Sequence, residues 1–86
     1  MDEHINAAVR QFPERGRAIR ERAGRDETFR DLCADFSTAE DELRKWTTSA
    51  DPRRERRVEE YSILVSELAL EIEAMLDASV VPFPRR

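Results

Sequence analysis

Two segments that carry apolar residues at alternating spacings of three and four predict an all-α fold, an antiparallel two-helix hairpin with coiled-coil-like packing and a short N-terminal helix. The first segment holds Phe29, Leu32, Phe36, Ala39, Leu43 and Trp46; the second holds Val58, Tyr61, Val65, Leu68, Ile72 and Met75. Helix-start signals precede both, Asp26 before the first and Asp51-Pro52 before the second, because Asp caps free backbone N–H groups and Pro suits the first helical turn. Composition agrees. With 40% charged residues, 40% hydrophobic residues and only two glycines, the chain suits long amphipathic helices better than a sheet.

A chain of 86 residues builds one hydrophobic core rather than two, so residues 1–86 read as a single helical domain. Residues 1–12 place Ile5, Ala8, Val9 and Phe12 at helical spacing and form an arm or a short helix. From Pro13 a short helix is expected over 13–24, with Gly24 as its left-handed C-terminal cap. The first long helix follows over 26–48. A polar connection ends at Asp51, and the second long helix is expected over 52–78, with Pro52 at its first position. Pro82 and Pro84 then impose an extended tail over 79–86.

If the chain reverses between the long helices, the two apolar rows pair as Trp46 with Val58, Leu43 with Tyr61, Ala39 with Val65, Phe36 with Leu68, Leu32 with Ile72 and Phe29 with Met75. Asp35 then falls near Glu71, a like-charge pair. The second long helix has apolar residues beyond this seam. Ile63 and Leu70 stand seven apart on its opposite side, and Leu64, Ala74 and Leu76 widen the apolar surface. A helix that is apolar on two sides has two partners. The second is either the N-terminal segment, through Ile5, Val9, Phe12 and Ile19, or another copy of the same helix. A short arm cannot cover both ends, which favours a homo-oligomer with Ile63, Leu64, Leu70 and Ala74 as its candidate interface.

The chain offers no catalytic constellation, and none is expected of it. His4 is the single histidine and has no second metal-ligand type at a binding spacing; no metal or cofactor is expected. Cys33 is the single cysteine, lies between Asp31 and Asp35, and reads as a small packing residue in an acidic setting. The carboxylates Glu40, Asp41, Glu42, Glu59 and Glu60 read as solvated faces, since adjacent helical residues point in different directions. No phosphate-binding glycine loop and no small-molecule site is visible.

Two arginine clusters stand out. One is Arg15, Arg17, Arg20, Arg22 and Arg25; the other is Arg53, Arg54, Arg56 and Arg57. The second opens a helix, where positive charge opposes the dipole, and so marks a candidate contact for an anion or an acidic partner. An alternative function follows, a nucleic-acid-binding protein that uses the arginines on a phosphate backbone. The net charge of −4, from 15 basic and 19 acidic side chains, weighs against it, because such binding needs a strong positive field. No apolar run approaches the roughly 20 residues that cross a bilayer, and no secretory start is visible, so a cytoplasmic protein is expected.

The run Phe12-Pro13-Glu14-Arg15, followed by Ile19, Asp26, Phe29, Leu32, Phe36 and Leu43 and then by a second regularly spaced helix, resembles the YdcH-like family of small bacterial helical-hairpin proteins of unknown function. The likeness covers about residues 12–76. Ser37 and Thr38 depart from the Tyr or His with Asn that such proteins often carry, and Trp46 sits where a charged residue is usual. The resemblance implies a cytoplasmic hairpin and no particular activity. Together these features lead to the expectation of a protein–protein interaction or oligomerisation module.

Overall fold

A computed structural model describes residues 3–79. Every regular element among them is helical: a 3-10 turn Glu3–Ile5, α1 (Asn6–Gln11), a 3-10 turn Pro13–Arg15, α2 (Gly16–Arg25), α3 (Glu27–Thr47) and α4 (Arg54–Ser79). The tail expected beyond residue 79 lies outside the described residues, as do residues 1 and 2.

Local chemistry accounts for the boundaries. Phe12 takes φ −126° and ψ 69°, as expected for a residue whose α conformation is disfavoured by the following proline, and α1 ends there. Pro13 opens a single 3-10 turn rather than the short helix itself. Gly16 begins α2 at a close approach, since a Cβ there would meet Val9 Cγ1 at 3.3 Å. Gly24 departs from the sequence expectation: it lies inside α2 without a left-handed backbone, and a Cβ added to it would meet nothing within 4 Å. The cap role falls instead to Asp26, extended at φ −137°, whose Oδ1 accepts from the Phe29 N–H at 3.1 Å and so satisfies one free donor of α3.

At the other end of α3 the Thr47 and Thr48 hydroxyls donate to the carbonyls of Arg44 and Lys45 at 2.7 and 3.2 Å, bonds that compete with helix continuation. The second helix starts two residues later than Pro52 would suggest. Asp51 takes the Arg53 N–H on its carboxylate at 2.8 Å and the Arg54 N–H on its carbonyl at 2.9 Å. That is a turn with Asp first and Pro second, and the first i to i+4 bond comes only with Arg57 N–H to Arg53 O at 3.0 Å.

Helices α3 and α4 pack against each other more extensively than any other pair. Arg54 Nε donates to Thr47 O at 3.1 Å beside the loop. At the far end, Arg22 Nη1 from α2 donates to Met75 O at 3.0 Å. One apolar cluster joins Phe29, Leu32, Cys33 and Phe36 of α3, Ile72 and Leu76 of α4, Ile19 and Ala23 of α2, and Ile5, Ala7 and Ala8 of the N-terminal segment. No polar or charged residue is buried among the described residues. The cluster occupies the end away from the loop; Leu43, Trp46, Val58 and Tyr61 near the loop are only half-buried. Extents of 56 × 31 × 21 Å reflect this elongated arrangement.

Residues 3–11 therefore contribute to the core, and they do so mainly against α3, with few contacts to α4. Cys33 is fully buried within the apolar cluster, while Asp31 and Asp35 are exposed. Its surroundings are thus apolar rather than acidic. Asp35 and Glu71 are both exposed, where the cost of any like-charge proximity is small.

Candidate interaction surface on the fourth helix

Because the N-terminal segment packs on α3, one side of α4 keeps its apolar residues in solvent. Ile63 is 54% exposed and Leu70 64% exposed. Seven residues are nearly two helical turns, so these two side chains stack on one stripe. Ala74, four residues beyond Leu70, lies almost on the same line and is exposed. Leu64, at 38% exposure, sits about 100° around the helix from Ile63 and flanks the stripe rather than continuing it. Leu76 is buried in the core and belongs to the seam side. Of the apolar residues that sequence reasoning assigned to the outer face, the structure aligns Ile63, Leu70 and Ala74.

A groove of about 460 Å³ runs beside the stripe, between the end of α1 and α4, and is lined by Gln11, Phe12, Val65, Ser66, Ala69, Leu70 and Glu73. Phe12 is half-buried here against the core cluster. Spacing alone does not show this groove, because it depends on where α1 ends in space.

The arginines at the start of α4 have partners within the chain. Arg53 donates to both carboxylate oxygens of Asp51, at 3.1 and 3.0 Å, and holds that carboxyl down at about 2. Arg56 and Arg57 pair with Glu60 at 3.5 and 2.9 Å. The guanidinium carbons of Arg53 and Arg57 lie 5.6 and 5.9 Å from the Trp46 ring centroid, within cation–π range. Trp46 is thus a platform for the loop arginines rather than a closed core layer. Asp51, Glu60 and the indole offset the positive charge at the helix start.

In the first cluster, Arg15 pairs with Asp77 at 2.8 Å and Arg22 with Asp26 at 2.8 Å. Arg22 also stacks over Phe29, with its guanidinium carbon 5.4 Å from the ring centroid. Sequence reasoning grouped Arg22 with a candidate phosphate surface; its contacts make it a joint between α2, the cap of α3 and α4. The Asp26 carboxyl is pulled below its ordinary range, first by the hydrogen bond from Arg22 and then by the Phe29 N–H. The remaining sequence candidates are surface features. Glu40, Asp41 and Glu42 pair with Arg10, Arg44 and Lys45 at 4.0, 2.8 and 3.3 Å, and His4 is exposed. Among the described residues no group of His, Cys, Asp or Glu is arranged to hold a metal ion, and no helix is long and apolar enough to cross a membrane.

No family model, curated protein or solved structure matches this chain.

Proposed function

We propose that this chain is a protein–protein interaction module that self-associates through the outer face of α4. Its scaffold is an antiparallel, coiled-coil-like hairpin in which Phe36 and Leu68 share a central layer. The observation that carries this reading is the exposed pair Ile63 and Leu70, stacked on one stripe of a 26-residue helix. Single exposed apolar residues are ordinary on protein surfaces. Two large ones in line, continued by Ala74 and bordered by an apolar-lined groove, form a patch that self-association would remove from water. The internal partners of the arginines leave less free positive charge for a phosphate backbone, and the net charge of −4 works against the nucleic-acid alternative.

Light scattering on the full chain across a concentration series tests the reading. A mass that rises toward a multiple of the 10.1 kDa monomer by high micromolar concentration is expected, and Leu70→Glu should hold the chain monomeric. A strict monomer throughout the series would sink it.

A further inference from the structure

Arg56, Ile63, Leu70 and Asp77 follow one another at intervals of seven residues along α4. They form one continuous stripe, basic at its start, apolar in the middle and acidic at its end. The Arg56 side chain is 83% exposed and that of Asp77 is 64% exposed. A row with this order complements itself only when reversed. Laid parallel on a second copy, it sets Arg56 against Arg56 and Asp77 against Asp77; laid antiparallel, it matches opposite charges at both ends.

Resting on the reading of this face as a self-association surface, we propose that the occupant is a second copy of the chain, bound through an antiparallel α4 pair. Ile63 packs on the partner's Leu70, and Arg56 pairs with the partner's Asp77. The two-fold axis passes between Ser66 and Glu67, so each contact occurs twice, as an isologous interface requires. At the roughly 100° step of a helix, Glu59 and Glu73 lie on one side of the stripe and Glu60, Glu67 and Ala74 on the other. Glu60 therefore meets the partner's Ala74, while Glu59 approaches the partner's Glu73. Glu67, next to the axis, also approaches the partner's Glu67; Glu59, Glu67 and Glu73 are all exposed, where like-charge proximity costs little. Asp77 accepts from Arg15 through Oδ1, so the partner's Arg56 would join an existing ion pair. Charge orders the two helices, and the apolar centre supplies the attraction. An interface with so short an apolar centre belongs to the small, weak class that buries less than about 1,200 Å².

Disulfide trapping reads the register directly. Ile63→Cys and Leu70→Cys chains of different tag mass are oxidised separately and then as a mixture at high micromolar concentration. Both positions are exposed, and Cys33 is buried in every variant. The antiparallel pair gives covalent 63–70 dimers in the mixture. It gives little from Ile63→Cys alone, because those two positions are about 10 Å apart along the helix axis, beyond disulfide reach. Efficient 63–63 trapping would overturn the antiparallel register and leave self-association standing; a monomer in light scattering would remove both. As a second readout, Arg56→Asp should weaken association roughly tenfold by placing two carboxylates together, and Arg56→Asp with Asp77→Arg should recover most of the loss. A double variant as weak as the single one would overturn the charge pairing.

Discussion

Arg22 holds three elements at one point: its Nε binds Asp26, its Nη1 reaches Met75 O, and its guanidinium lies over Phe29. Hydrogen bonds to charged groups contribute about 1.5–3 kcal/mol each, so Arg22→Ala should lower stability by about 2 kcal/mol or more in urea unfolding. Arg22→Lys should recover little, because one ammonium cannot reproduce the two diverging N–H directions. At Gly24 the expectation has the opposite sign. A helical, exposed position with open space around the missing Cβ favours alanine, and Gly24→Ala should stabilise by about 0.5–1 kcal/mol, whereas a left-handed cap would be destabilised by the same change. The carboxyls of Asp26 and Asp51 both lie below their ordinary value of 3.8, Asp51 at about 2. A depressed carboxylate contributes stability that is present above its unfolded pKa and lost as pH falls through the folded one. For Asp51 that window runs from about pH 4 to about pH 2, and thermal melts should show the gap between the native chain and Asp51→Asn closing across it.

For the long helices the informative quantity is the register between α3 and α4. Phe36 is fully buried and Leu68 is half-buried against the same cluster. Phe36→Ala should cost about 3–5 kcal/mol through lost contacts and a residual cavity, with Leu68→Ala nearer the low end of about 2–5 kcal/mol. Asp41→Ala, on the exposed side, should stay within about 0.5 kcal/mol. If Phe36 and Leu68 face each other, their double variant departs from additivity, while Phe36 with the distant Val58 adds. Additive losses at Phe36 and Leu68 would mean that the register is wrong. The melts need a fixed protein concentration, because association shifts them.

Over the described residues, packing is uneven along the α3–α4 pair. The fully buried residues gather where α2 and the N-terminal segment cover α3, and the loop end relies on half-buried Leu43, Trp46, Val58 and Tyr61. Few buried contacts mean a low cost of local opening. Hydrogen exchange should therefore be slowest around Phe29–Ala39 and Leu68–Leu76 and faster by orders of magnitude around 43–47 and 54–61. Uniform protection along both helices would show that the loop end is stabilised by something beyond these contacts. The same unevenness leaves the stripe of Ile63 and Leu70 uncovered, beside the groove that Gln11 and Phe12 line against α4.

The sequence by itself determined that there are two long helices, that Asp26 caps the first, and which residues form their apolar rows. Each of these depends on neighbours a few positions away, through the 3.6-residue period and the orphan N–H groups of a helix end. The exposed pair Ile63 and Leu70 was legible for the same reason. Only the tertiary structure decided that residues 3–11 cover α3 rather than the second side of α4, that Cys33 sits among apolar groups, and that Gly24 is an ordinary helical position. It also decided that Arg53, Arg56 and Arg57, around the start of α4, lean on Trp46, Asp51 and Glu60. Hydrophobic burial is non-directional: periodicity states which face of a helix must leave water, and the partner that covers it is chosen by chain reversal and by the geometry of distant segments.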